Sequence, residues 1–361
     1  MAESIGYPYK PDLAIPPGET IAELLAERGL SQTDFALKLG RSEKNVSQLI
    51  NGKAPLGHDL AIDLERVFGV PAAVWNNLES SYRDLLARQA ENERLTAEVA
   101  WTRQFPLKDM ENRGFVARES DESGGTVTLL QFFGVASPEA HAHYWGSPKR
   151  LAARMTSAFT ADIPALTAWL RQGEIAAQAL TLDPYSSSVF REVVANARAM
   201  TLERIDESLP ALQEDCAQAG VALVFVPELP GIRVSGVSRW LGDNRPLIEL
   251  CLRYKTSDQL WFSFFHESCH ILRHSKKRTW VGFLGEKSTE EDEANEFAAD
   301  TLIPRDEWLA FVATGKPTKA QVVTFADGLG VHPGIVVGRL QHEGLVPFNQ
   351  MNAFKQPLTW G

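Results

Sequence analysis

SDQLWFSFFHESCHILRH, residues Ser257 to His274, reads as a single helix. It is dense in Leu, Trp and Phe, as a helix buried inside a domain should be, and a cap candidate, Ser257 or Asp258, stands at its start. Inside this apolar setting His266 and His270 lie four residues apart. That spacing sends both imidazoles off the same side of the helix, where they can meet one ion. Glu267 follows His266 directly and projects about 100° further round. Two histidines and a glutamate in this pattern are those of a zinc (Zn2+) site. The rings hold the metal, and the glutamate takes a proton from the attacking water.

The flanks extend the reading. Before the helix, VALVFVPEL, IRVSGVSRWL and LIELCL are short, rich in Val, Ile and Leu, and separated by Pro, Gly, Asp and Asn. They predict three strands. After it, KSTEEDEANEFAADTLIP predicts a second helix carrying several carboxylates. Zinc needs a third protein ligand. Ala294, Phe297, Ala298 and Leu302 define the inward face, and Glu291 falls within it. Glu296 and Asp300 point to the opposite side, and Glu293 is marginal beside Phe297. Glu291 is therefore the expected third ligand, with Glu293 as the alternative. Asn295, one turn on from Glu291, can hydrogen-bond a ligand histidine. Among the other histidines, His274 is expected at the surface of the helix end. His332 and His342 carry no assigned role, although a histidine such as His342 could stabilise a developing oxyanion.

Far from this region, the chain has a different texture. PGETIAELLAERG has proline near a helix start, acidic residues in the first turn and glycine at the end. SQTDFALKLG, SEKNVSQLINGK and HDLAIDLERVFG follow, capped by Ser31 and Ser42 and stopped by Gly40, Gly52 and Gly69. The middle pair has helix-turn-helix logic. Ala36 is small where two helices cross, Gly40 makes the turn, and Val46 and Ile50 plug the second helix into the core. Gln32 opens the first helix. Ser42, Lys44, Asn45, Ser47 and Gln48 are left toward the major groove or its phosphates, with Lys53 nearby. Amide side chains suit adenine edges and the lysines suit phosphate. The local charge is not strongly basic, so tight binding to a double-stranded DNA operator calls for a homodimer on a palindrome.

The whole chain of 361 residues is too long for one ordinary core. Its 44% hydrophobic and 23% charged composition is that of a globular protein. The net charge of -10 argues against a globally basic nucleic-acid coat, although affinity depends on where charge sits. No apolar run approaches the roughly 20 residues needed to span a bilayer. MAESIGYPYKPDL lacks the basic start and apolar core of a signal peptide. Cys216, Cys251 and Cys269 are scattered and odd in number, which fits a reducing cytoplasm. The expected class is multidomain and mostly α, with one α+β domain. The expected boundaries are an arm (1–16), a helix-turn-helix domain (17–70) and a connector helix (71–104). A helical middle region (105–200), a metal domain with a short sheet (201–345) and a tail (346–361) follow. ARESDESGGT, residues 117–126, is the clearest predicted loop. The connector's stripe of Trp75, Leu78, Tyr82 and Leu85 thins into charge beyond Gln89.

Both ends resemble known families. PGETIAELLAERGLSQTDFALKLGRSEKNVSQLINGKAPL is similar to the lambda-repressor-like Cro/C1-type (XRE) group, and most of all to the HigA-like antitoxins with their PGE start and INGK turn. This resemblance implies operator binding and a toxin partner. FHESCHIL and EEDEANEFAADTLIP resemble the ImmA/IrrE metallopeptidases. That likeness implies a small zincin-like fold and cleavage of a repressor protein. It also implies His266, His270 and Glu291 as ligands and Glu267 as base. Ser268 and Cys269 stand where the family more often has other small pairs. Together the likenesses imply a repressor or antitoxin-like regulator with a zinc-dependent endopeptidase domain. That domain would cleave a repressor or the chain itself near Gln89 to Gln104. The alternative is a non-catalytic regulator whose zincin-like domain senses a ligand or binds a toxin.

Overall fold

The computed structural model describes residues 14–118, 122–146, 162–232, 234–251, 256–283 and 288–358. The chain divides into two compact units, Met1–Ala97 and Glu98–Gly361. Most of the expected N-terminal arm and the last three residues of the expected tail lie outside the described residues.

The first unit holds five helices: α1 (Pro17–Glu27), α2 (Gln32–Leu39), α3 (Glu43–Ile50), α4 (His58–Phe68) and α5 (Ala72–Ala97). The expected caps form. Ser31 accepts from the Asp34 backbone N–H and Ser42 from that of Asn45. Gly40 closes α2 in the left-handed region at φ 63°, where a side chain would be strained. Ile21, Leu25, Phe35, Ala36, Val46, Leu49, Leu64 and Trp75 make the core. Leu49 is the buried partner of Val46; Ile50, expected there, is only partly covered. The predicted connector is broken: α5 ends at Ala97, and α6 begins again at Val99.

The second unit is one body. It contains α6 (Val99–Thr102), α7 (Leu107–Asn112), α8 (Glu122–Phe133), α9 (Pro138–Trp145), α10 (Ile163–Gln178), α11 (Ser187–Ala197) and α12 (Ile205–Gln218). Then come β1 (Ala222–Phe225), β2 (Val234–Trp240), β3 (Pro246–Leu250), α13 (Ser257–Arg273), β4 (Trp280–Phe283) and α14 (Thr289–Leu302). It closes with α15 (Arg305–Val312), α16 (Lys319–Leu329) and α17 (Pro333–His342). The sheet runs β1-β3-β2-β4; β1 is parallel to β3, and the other pairs are antiparallel. The sequence predicts three of these strands. WVGF, the fourth, is too short to announce itself and forms by pairing with β2.

All five residues of β3 are buried because the sheet is covered on both faces. Ile248 and Leu250 face the core containing Leu260, Trp261, Phe264 and Phe265 of α13. Leu247 faces the other core, with Leu166, Trp169 and Leu170 of α10. Trp169 Nε1 donates to the Val226 carbonyl at 3.2 Å, tying α10 to the end of β1. Much of the region expected as a helical middle segment is thus the second cover of the sheet. Glu249 also faces α10, fully buried. Arg239 of β2 lies between it and Glu174 of α10, with Nη1 3.0 Å from Glu174 Oε1 and Nη2 3.6 Å from Glu249 Oε2. Burial pushes the Glu249 carboxyl well up, and Arg239 opposes that shift.

Two further expectations are corrected. Part of the predicted loop at 117–126 is the first turns of α8, although residues 119–121 lie outside the described set. Its Gly125 is there for close packing: a Cβ would meet Leu107 Cδ2 at 3.3 Å and Thr102 Cγ2 at 3.6 Å. The expected tail is also integrated. Val346 and Leu358 join the core. Lys355 Nζ reaches Asp258 at 2.7 Å, and the Gln356 carbonyl accepts from the Ser257 N–H at 2.9 Å. This strap holds the start of α13. On the opposite side of the unit, His141 is boxed by Trp101, Phe105 and Phe133, with ring centroids 5.4, 5.4 and 4.4 Å away. Its Nε2 has no partner among the described residues. Among the described residues no single helix is long and apolar enough to cross a membrane.

Candidate metal centre

Helix α13 carries the site because its burial is nearly complete from Ser257 to Ile271. Packing that apolar surface against β2, β3 and α14 removes the histidines from water as well. His266 is 7% exposed, Glu267 1%, His270 1% and Glu291 5%. Helix α14 starts at the Ser288 cap, whose Oγ accepts from the Glu291 N–H at 3.2 Å. This cap fixes the first turn and aims Glu291 at α13.

The expected donors come together. His266 Nε2 lies 3.1 Å from Glu291 Oε2, and His270 Nε2 lies 3.5 Å from Glu291 Oε1. The two Nε2 atoms are 3.2 Å apart. His266 Nδ1 is 3.1 Å from Asn295 Oδ1, the contact expected from the sequence. A carbonyl oxygen only accepts, so His266 carries a proton on Nδ1, and in its neutral form the ring offers a bare lone pair at Nε2. Two imidazole nitrogens and two carboxylate oxygens then converge on one small volume. Without a cation, a proton must separate some of them. Accordingly, although burial opposes a charge on His266, Glu291 and the neighbouring groups raise its pKa overall. His270 goes the other way. Burial and the nearby His266, His274 and Arg278 hold it down at about 2. The donor set fits a metal of zinc's preference, two nitrogens and a carboxylate.

Glu267 lies beside this cluster. Burial pushes its carboxyl up to about 7, against the pull of His266. Its Oε2 is buried with no hydrogen-bond partner among the described residues. Gly236 of β2 makes the room for it. A Cβ there would sit 2.9 Å from both Cγ and Oε1 of Glu267. Sequence reading missed Gly236, since nothing in the VSGVS pattern says which side chain will lie against the strand.

Glu293, the alternative ligand, points elsewhere. Its oxygens meet Arg273 Nη1 at 2.9 Å and His274 Nε2 at 3.2 Å. His274 is not at the surface as expected: its side chain is 6% exposed, 2.7 Å from His270 Nδ1. Trp280 of β4 stacks on His270 at 4.6 Å and 16°. His342 ends α17 exposed, and His332 caps the same helix by accepting from the Gly334 N–H at 3.1 Å. Neither joins the cluster.

In the first unit, Gln32, Ser42, Lys44, Asn45, Gln48 and Lys53 are exposed, and Ser47 is half-buried. Ser47 is partly occupied by Asn51, whose Nδ2 donates to its carbonyl at 2.7 Å. The exposed groups therefore lie off the Val46–Leu49 stripe that packs inward.

Comparison with known proteins gives a separate match in each unit. A helix-turn-helix family model matches residues 21–75, and the model of the IrrE N-terminal-like domain matches residues 223–341. An uncharacterized HTH-type transcriptional regulator of Escherichia coli (strain K12), YddM, is 35% identical over 66 residues, 18% of this chain and 70% of the relative. Two solved structures align with about a quarter of this chain, each with a TM-score of 0.22. One is a putative antidote protein of a plasmid maintenance system from Nostoc punctiforme, 32% identical, covering 22% of this chain and 88% of its own. The other is an addiction module antidote protein of a HigA family from Coxiella burnetii, 27% identical, covering 24% of this chain and 94% of its own.

Proposed function

Because the chain belongs to the helix-turn-helix transcriptional regulators and carries an IrrE N-terminal-like domain behind its DNA reader, we propose that it is a repressor with a zinc-dependent endopeptidase domain. The observation that carries this reading is the convergence of His266, His270 and Glu291 beside a buried carboxylate, Glu267, one oxygen of which has no hydrogen-bond partner among the described residues. The three residues would hold zinc. A bound zinc ion would act there as a Lewis acid toward a peptide carbonyl. Glu267 takes the proton of the attacking water and delivers it to the leaving amine nitrogen. Its burial beside the cluster favours a carboxylate that readily takes up a proton, as a group that accepts one and passes it on must. Ligand histidines buried against Phe262 and Trp280 keep their ring positions without solvent around them.

In this reading a homodimer holds a double-stranded operator through Gln32, Ser42, Lys44, Asn45, Ser47, Gln48 and Lys53, in the cytoplasm. The substrate is a repressor protein, another regulator or this chain. Cleavage of the chain near Gln89 to Gln104 requires α5 and α6 to unwind first, since both are helical there and a peptidase acts on extended chain. A toxin is a further partner in this reading, as the likeness of the N-terminal PGE start and INGK turn to the HigA-like antitoxins implies.

The first test is zinc per chain in purified wild type, His266→Ala, Glu291→Ala and Glu293→Ala, with circular dichroism to confirm folding. One zinc in wild type and Glu293→Ala, and none in the other two, is the expected result. No zinc in a folded wild type after reconstitution overturns the metal reading. Glu267→Gln should then keep the zinc and lose cleavage of the repressor; a Glu267→Gln chain that still cleaves would remove Glu267 from the chemistry.

A further inference from the structure

His266, His270 and His274 follow one another at intervals of four along α13, so each stands one turn above the last. The third has no place in the ligand cluster, yet it is buried and in close contact with the second. His270 Nδ1 and His274 Nδ1 are 2.7 Å apart. At that distance one nitrogen donates and the other accepts. If His270 presents Nε2 to a metal, its proton is on Nδ1 and it is the donor. His274 Nδ1 is then the acceptor, which leaves the His274 proton on Nε2. That nitrogen lies 3.2 Å from Glu293 Oε2, an acceptor. The other oxygen of Glu293 accepts from Arg273 Nη1 at 2.9 Å. Every proton in the row has one consistent position, and Trp280 flanks both rings, at 4.6 Å from His270 and 5.1 Å from His274.

We propose that His274 is a positioning residue of the metal centre: supported by Glu293, it accepts the His270 Nδ1 proton and holds His270 in the tautomer that leaves Nε2 free for the metal. The inference rests on the metal reading above. It also accounts for Glu293, which the sequence offered as a ligand and which here orients one through an intervening ring. Cys269, His274 and Glu293 themselves lie close enough to share an ion. Using His274 Nε2 for that ion would move its proton to Nδ1, against His270 Nδ1, and would turn the free nitrogen of His270 away from the first centre. The two uses exclude each other, and the hold of Arg273 on Glu293 favours the relay.

The experiment uses the full chain as wild type, His274→Ala, His274→Gln and Glu293→Gln, each checked for folding by circular dichroism. Zinc affinity is measured by competition with a chelating dye, and the site is also loaded with cobalt(II) for its visible spectrum. His274→Ala should bind zinc about 10- to 100-fold more weakly, with a changed cobalt spectrum. His274→Gln should recover part of the loss, because its carbonyl can still accept from His270; a merely structural role for the ring would give no such recovery. Glu293→Gln should fall between wild type and His274→Ala. A wild type that binds one zinc, with a His274→Ala affinity within about twofold of it and an identical cobalt spectrum, overturns the proposal and leaves the metal reading standing. A second equivalent of cobalt with a thiolate charge-transfer band, lost in Cys269→Ser and in His274→Ala, also overturns it, by making His274 a ligand of another ion. A folded wild type that takes up no zinc defeats the underlying reading and this inference with it.

Discussion

Helices α3 and α13 both carry polar residues at regular spacing, and they place them oppositely. In α3 the polar groups Lys44, Asn45 and Gln48 are exposed, while Val46 and Leu49 face the core. Folding and the proposed recognition use different faces of one helix. In α13 the polar groups His266, Glu267 and His270 are inside, among Trp261, Phe264 and Phe265. Folding and the proposed chemistry share one interior. A change on α3 should be felt by a partner and hardly by the fold. A change near α13 should be felt by both.

The largest departure from equality between the two regions is expected at Arg239. Arg239→Ala leaves Glu249 buried without its cation and Glu174 with Arg171, and should destabilise the chain by about 3–5 kcal/mol, read from equilibrium urea unfolding. A loss under about 1 kcal/mol would mean that water reaches the cluster. Next is Gly236→Ala. The new methyl meets Glu267 and Leu250, so stability should fall by about 1–3 kcal/mol. Repressor cleavage should fall further than stability, with zinc content kept. Equal losses in stability and cleavage would say that Gly236 serves packing alone.

His141 gives a pH test away from the metal centre. Burial lowers its pKa from 6.5 to about 4. Between those values the unfolded chain takes up a proton that the folded one refuses. Stability is therefore full above about pH 6.5 and declines as the pH falls toward 4. The loss should be about 3 kcal/mol at about pH 4, and His141→Phe should remove that part of the pH dependence. An unchanged pH profile in His141→Phe would assign the acid sensitivity to other groups. The smallest effects on the fold belong to α3. Lys44→Ala and Gln48→Ala should change stability by no more than about 0.5 kcal/mol. Gln48→Ala should nonetheless weaken operator binding by about 1–3 kcal/mol, and Lys44→Ala should reduce the salt slope by about one. Unfolding of either variant would merge the two regions into one kind of surface.

The difference between α3 and α13 also explains what was legible in the sequence. Periodicity and caps are local, so α1 to α4, α13 and α14 could be read directly, and helical angle alone separated Glu291 from Glu296 and Asp300. Asn295 followed from the same geometry. What depended on distant chain could not be read. WVGF becomes a strand only beside β2. The helix of ALTAWLRQGEIAAQ was foreseen, but not the sheet face it covers. Gly125 looked like a loop residue because its real reason, Leu107 and Thr102, lies on other helices. His274 looked exposed because a helix end usually is, and only Glu293 and Trp280, from later elements, enclose it.

The buried Glu174–Arg239–Glu249 cluster has one further consequence. Val237 stands opposite Glu249 in the β2–β3 ladder, and a slip of β3 by one residue would turn every side chain to the other face. Glu249 would then enter the Phe264 and Phe265 side as an uncompensated carboxylate, and Arg239 would be left with half of its countercharge. An all-apolar pair of strands would tolerate such a misalignment far better. The cluster therefore penalises the misaligned sheet and favours the alignment of β2 in which Gly236 leaves space for Glu267.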